Sequence, residues 1–371
     1  MNEASSGYRL KPIGFDELPG WQQDDPSTLW PAMADCLKHL QNAKPYRSGS
    51  LGLSARDLLP LLEAAASAVP QNASEARHFF EAQCQVLQII PEQGSGLVTA
   101  FYEPEVEVSA RPDDVYKHPF YARPHDLVDV TEDNRPSGMD PSYAFALADP
   151  DGLKPYPDRQ AIDRGYLDNR GLEIAWAKSK VDVFFAHVQG AARLKYPDGH
   201  IARITYAAKA GHPFSGIGRH LIDLGEILER NISMQSIRAW LGDHPQRVDE
   251  ILWHNSSYIF FREADVTDLT RGPIAAAKVP LIAGRSLAVD RTIHTFGFPF
   301  FVRAPGLTRL DGGRDFSRLM LALDTGSAIV GPARGDIFTG SGPEAGDMAG
   351  AVRNAADFYM LVPKQAAERF V

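Results

Sequence analysis

The last hundred residues of this chain are written as short apolar runs cut apart by glycines. RLMLALD (318–324), SAIVG (327–331) and DFYMLVP (357–363) are examples. Runs of this length with turn residues between them read as the strands of a barrel or sandwich. GLVTAFYEPEVEVS (96–109) reads as strand too, because it is β-branched and aromatic with stretches of alternation. The middle is mixed. LEIAWAK (172–178), VDVFFAHVQG (181–190), HIARITYAA (200–208) and YIFFRE (258–263) read as strands, and 109–170 as a loop-rich region with short strands. One amphipathic helix is expected to open at Ser54, a capping residue, and a second to span 75–88 with Phe79, Phe80, Cys84 and Leu87 at helical spacing. Further helices are expected at 217–228, 233–241 and 245–253, the last with Pro245 in its first turn. Residues 1–50 are proline-rich and weakly patterned.

The 371 residues suit one large or two medium domains, and a composition 44% hydrophobic and 23% charged can bury a core. A net charge of -9 lacks the basic footprint of a nucleic-acid binder. Cys36 and Cys84 make no CxxC or Cys/His cluster, and two separate buried thiols are favoured over one bridge. No run approaches the roughly 18–20 apolar residues of a membrane span. The start, MNEASSGYRL, shows no basic segment followed by an apolar one, so no signal peptide is visible there.

Several motifs carry little. SMQSIRAWLGDHPQRVDEIL (233–252) has the outline of a helix-turn-helix, but its second helix sets Asp249 and Glu250 beside Arg247, which suits a packed hairpin better than a DNA reader. GSGPEA (340–345) fits a loose nucleotide-binding pattern, yet no periodic helix is visible after it, so a tight loop is expected. There is no HExxH and no GxSxG, which leaves metalloprotease and α/β-hydrolase chemistry without support. Two carboxylates say more. Asp324 ends the run LMLALD before TGS, and Asp336 sits in RGDIFTGSGPEAG. An aspartate at a strand end beside a glycine-rich loop can face a cleft, where partial burial raises its pKa and makes it a proton donor near neutral pH. On the residues alone, a turn role accepting backbone hydrogen bonds stays open.

LALDTGSAIVGPARGDIFTGSGPEAGDMAG (321–350) resembles the catalytic segment of the membrane-bound lytic murein transglycosylase A family, with its LD-x-G-x-A-I-x-G and DI(Y/F)-x-G-x-G-x-EAG-x-x-AG. TAFYEP (99–104), HVQGAARL (187–194), TYAAKAGHPFSGIGRHLIDLGEI with SMQSIRAWL (205–241) and VPLIAGRSLAVDRTIH (279–294) resemble further family segments in the same order. The resemblance implies a mainly β fold with some α. A discontinuous double-psi β-barrel domain is expected from 1–108 and 263–371, and an inserted smaller β-rich domain at 109–262 as the other wall of a glycan groove.

The resemblance also implies a reaction: peptidoglycan exotransglycosylase action on the β-1,4 bond between N-acetylmuramic acid and N-acetylglucosamine, with Asp336 as single acid and base and 1,6-anhydromuramoyl products. Asp324 and Asp290 carry over as supporting acids, and Thr99, Tyr102, Glu103 and Gln189 as sugar-contacting residues. No metal or organic cofactor is implied. The implied partners are peptidoglycan strands and cell-wall assembly proteins, with no nucleic acid, in the periplasm or at the outer membrane. Two departures from the family pattern stand out: Glu103 replaces a Thr or Ser, and Ala191 replaces a small hydroxyl residue. A hydrolase using Asp324 as second carboxylate, and a non-catalytic glycan-binding module on the same fold, are the alternatives.

Overall fold

A computed structural model describes residues 7–264 and 268–370. In chain order the strands are β1 (Tyr8–Ile13), β2 (Cys84–Pro91), β3 (Gly96–Glu103), β4 (Glu105–Ser109), β5 (His118–Tyr121), β6 (Leu127–Asp129), β7 (Phe145–Asp149), β8 (Gly152–Lys154) and β9 (Glu173–Ala177). They continue as β10 (Ala191–Lys195), β11 (Ile201–Lys209), β12 (Ile259–Ala264), β13 (Ser286–Val289), β14 (Pro299–Ala304), β15 (Phe316–Asp324), β16 (Arg334–Ser341) and β17 (Arg353–Pro363). The chain forms two compact units. The first comprises Met1–Tyr102, Leu269–Gly340 and Glu344–Val371, and the second Glu103–Asp268 with Ser341–Pro343. The second unit therefore begins at Glu103 rather than 109, and β4 belongs to its sheet. The break falls at Pro104, which has no N–H to donate and splits the expected strand 96–109 into β3 and β4.

In the first unit the sheet runs β1-β2-β17-β14-β15-β13-β16-β3, and β3 also pairs with β17. The ladder thus returns on itself through β3, β17, β14, β15, β13 and β16, a ring with no free edge among those strands. The eleven-residue β17 makes this possible. Its first part, Arg353 to Ala356, pairs with β3, and its second part, from Phe358, pairs with β2. Phe298, Phe300, Phe301, Phe316 and Phe338 lie fully buried in the core.

Among the described residues, three α-helices of this unit precede β2. Ala55–Ser67 opens at Ser54, where Asp57 accepts from the Ser54 backbone N–H at 2.7 Å. Ala73–Gln83 opens at Asn72, whose side chain accepts from the Glu75 N–H at 2.9 Å. Trp30–Asn42 forms where no helix was expected, with Pro31 in its first turn. The expected helix 75–88 stops at Gln83, because the β-branched stretch after Cys84 gains ladder partners on both sides, β1 and β17. Cys36 and Cys84 are separate buried thiols, and burial pushes the Cys36 thiol up to about 12.

The second unit has a six-stranded sheet, β12-β11-β10-β4-β9-β5, and a three-stranded one, β6-β7-β8. The expected strand 181–190 is instead the helix Lys180–Gln189. Ser179 caps its start, and Gly190, at φ 75°, ends it in the left-handed conformation. Its Val183, Phe184, Phe185, Ala186 and His187 are all buried, so no polar stripe marked a helical period. The expected hairpin is present as Met234–Asp243 and Val248–Trp253, packed through Trp240, Leu241, Ile251 and Leu252. The helix expected at 217–228 ends at Asp223.

Two features differ near the chain's end. SAIVG (327–331) is a turn rather than a strand, with Val330 71% exposed. GSGPEA leads into the helix Pro343–Gly350, with Pro343 as its first residue.

Candidate active site

Sheet register brings the two candidate acids together. Ala288 of β13 pairs with Asp324 of β15 on one side and with Asp336 of β16 on the other. The pairing with Asp336 is regular and antiparallel, so Ala288 and Asp336 share a face, whereas the parallel pairing with Asp324 falls at a register shift between Leu287 and Ala288. Strands are spaced about 4.8 Å, so the two aspartate backbones flank the small Ala288 roughly 10 Å apart. Both side chains are only partly exposed.

Asp336 is held by two neighbours. The Thr99 hydroxyl on β3 hydrogen-bonds Asp336 Oδ1, and Arg334 Nη2 donates to that same hydroxyl at 2.7 Å. Burial raises the proton affinity of Asp336 above the usual carboxylate range, against the opposing pull of the Thr99 hydrogen bond and the Arg334 charge. Burial also pushes Asp324 up to about 6. There the backbone N–H groups of Thr325 and Ala276 pull downward, the Asp336 charge pushes upward and Lys278 pulls downward. The Ala276 N–H reaches Asp324 Oδ1 at 3.1 Å. It lies in a turn that closes at Lys278, a non-glycine residue at φ 64°.

Asp290 is of another kind. It is 6% exposed, and its carboxylate accepts from the Thr292 hydroxyl at 2.6 Å, the Thr292 N–H at 2.9 Å and the Gly331 N–H at 2.8 Å. Burial alone would raise its pKa, but these donors hold it below the ordinary value. Asp290 ties the 325–332 turn to the end of β13, with both of its carboxylate oxygens accepting hydrogen bonds.

The expected sugar contacts fare unevenly. Thr99 is committed to Asp336 and Arg334. Tyr102 is 7% exposed, with its ring against Gly346, where an added Cβ would lie 2.8 Å from the ring. Glu103, expected to touch the glycan, has no exposed surface. Its oxygens receive Arg203 at 2.6 and 3.0 Å, Arg193 at 2.9 Å and the Ser341 hydroxyl at 2.6 Å, so its contacts serve the fold. Gln189, in the second unit, is the last residue of its helix and partly exposed. Arg334, Ala288 and Ala276 were not foreseen. Arg334 had a signal: two residues before Asp336 on a strand, it must share that residue's face. Among the described residues, no group of three or more His, Cys, Asp or Glu is arranged to hold a metal ion.

These features are those of a closed β-barrel carrying paired acids of raised proton affinity. Comparison with known proteins is specific. The "MltA specific insert domain" family matches residues 97–262, and the "3D domain" family matches 285–362. A membrane-bound lytic murein transglycosylase structure from Agrobacterium tumefaciens is 64% identical at TM-score 0.94, covering 98% of this chain and 100% of that one. Membrane-bound lytic murein transglycosylase A of Vibrio cholerae is 31% identical over 73% of this chain and 66% of its own length. An Escherichia coli MltA structure with bound chitohexaose is 26% identical at TM-score 0.66, covering 90% of each chain. The chain spans under two thirds of the curated relatives' length, 66% and 56% for those of V. cholerae and E. coli. It belongs to the membrane-bound lytic murein transglycosylase A family, and its fold is the double-psi β-barrel with an inserted β-rich unit.

Proposed function

We propose that this chain cleaves peptidoglycan strands as a lytic exotransglycosylase, with Asp336 as its single acid and base. The observation that carries the reading is a barrel carboxyl with raised proton affinity, in the family's catalytic segment, held by Thr99 and Arg334. Protonated Asp336 gives its proton to the glycosidic oxygen between N-acetylmuramic acid and N-acetylglucosamine. The C1–O bond breaks with its electron pair going to the leaving oxygen. The same carboxylate then takes the proton of the muramoyl C6 hydroxyl as that oxygen bonds to C1. The nucleophile is on the same ring, and its high effective concentration makes an activated water unnecessary. Asp324 supports the site as a neighbouring acid, and Asp290 supports it by fixing the adjoining turn. Tyr102 and Gln189 are the residues we assign to glycan contact. The names of the relatives support the substrate and a place in the cell envelope. Among the described residues, no helix is long and apolar enough to cross a membrane.

One observation favours a second reading. Asp324, pushed up to about 6, lies across Ala288 from Asp336, where a hydrolase could keep its second carboxyl group. Digestion of purified sacculi with mass analysis of the released muropeptides separates the two. Anhydromuramoyl ends are expected. Reducing muramic acid ends would establish the hydrolase, and failure to release any glycan would leave only a binding role.

A further inference from the structure

We propose that Arg334 and Thr99 form a one-way donor chain that fixes which oxygen of Asp336 carries the catalytic proton. A guanidinium can only donate, and a threonine hydroxyl has a single hydrogen. Arg334 Nη2, 2.7 Å from Thr99 Oγ1, fills a lone pair of that oxygen. The hydroxyl hydrogen is thereby turned toward its other neighbour, Asp336 Oδ1. A carboxyl oxygen that accepts this hydrogen is best left as the carbonyl oxygen, so the acid proton resides on Oδ2.

The framework supports the direction of the chain. Thr99 on β3 pairs with Arg353 on β17, and Arg334 and Asp336 lie two residues apart on β16. Arg334 is also held by the carbonyl of Gly335. Among the described residues, Asp336 interacts electrostatically with Arg334 on its own strand and with Asp324 on β15. The charge of Arg353 acts on Arg334, and that of Lys278 on Asp324.

The proposal rests on Asp336 being the acid and base. In it, Oδ2–H protonates the leaving oxygen as the C1–O bond breaks, and Oδ2 recovers a proton from the C6 hydroxyl as the O6–C1 bond forms. No oxidant, water or further proton is consumed. Thr99 and Arg334 are positioning residues in this scheme. The sequence resemblance placed Thr99 among the sugar contacts, and the chain gives it a different role.

The test is the pH profile of sacculus cleavage by Thr99→Val and Thr99→Ser. Valine keeps the shape and removes the hydrogen. Its maximal rate is expected to fall about tenfold to a hundredfold, the weight of a hydrogen bond to a charged group. Its alkaline limb is expected to move to higher pH, because the ionised carboxylate loses a donor. Thr99→Ser restores most of both. A valine variant with unmoved limb and full rate overturns the chain. So does an equal fall in both variants with no shift of the limb, which marks a packing role. Asp336→Asn run alongside separates the two levels: full cleavage by that variant overturns the catalytic reading itself.

Discussion

Glu103 and Asp336 are both carboxylates withdrawn from water, one in each unit, and their surroundings treat them in opposite ways. Glu103 is met by Arg193, Arg203 and the Ser341 hydroxyl, with none of its surface exposed. Asp336 keeps some exposure and has one hydroxyl donor and one cation behind it. A buried acid with matched cations is locked as an anion and serves the fold. A buried acid left short of compensation holds its proton more tightly and can pass it on. Asp290, met by three donors, is held below the ordinary carboxylate value, and Asp324, like Asp336, is raised above it.

Replacing the acids one at a time tests that division. The largest effect on rate is expected from Asp336→Asn, which keeps the shape and cannot cycle a proton. Cleavage of sacculi should fall by at least about 10²- to 10⁴-fold, with the melting temperature nearly unchanged. Glu103→Ala should act the other way round. It removes the carboxylate that Arg193 and Arg203 share, and losing one partner of such a cluster costs about 3–5 kcal/mol. Denaturant unfolding should show the second unit destabilised. A folded Glu103→Ala protein of wild-type stability would break the comparison.

Asp324→Asn probes the other raised acid. The folded pKa of Asp324, about 6, is above the unfolded one, so its favourable contribution is complete at low pH and is lost as pH rises through about 6. The variant should match the wild type in stability near pH 4 and exceed it by on the order of 2 kcal/mol at pH 8. Equal stability at both pH values would mean that Asp324 ionises freely. The smallest effect is expected from Gln189→Ala. It should weaken glycan binding a few-fold, about 1 kcal/mol, without changing the melting temperature, as read by titration with a soluble peptidoglycan fragment.

The acids themselves could be read from the sequence, and their environments could not. The glycine-rich segment after LMLALD identified Asp324 and Asp336, but their placement on either side of Ala288 is a matter of register with a strand 36 and 48 residues earlier in the sequence. Glu103 looked like a sugar contact because it stands in TAFYEP next to Tyr102. Its partners Arg193 and Arg203 come from β10 and β11, which no local pattern connects to it. The helix Lys180–Gln189 reads as a strand in the sequence because burial on several sides erases the helical period. Its end signals, Ser179 and Gly190, were in the sequence and outweighed the β-branched and aromatic content. The β character of both chain ends was legible from the short glycine-cut runs, because strands of that length need turns between them.

The most direct measurement of the central claim is the fate of solvent oxygen. Sacculi are digested in water enriched in heavy oxygen, with a hydrolytic muramidase as control, and the new muramoyl ends are weighed. If a single carboxylate passes a proton to the leaving group and recovers one from the C6 hydroxyl, the ends are unlabelled and lighter than the control's by one water. Heavy oxygen in reducing muramoyl ends would contradict the account, and Asp324 would then be the first candidate for the group that activates the water.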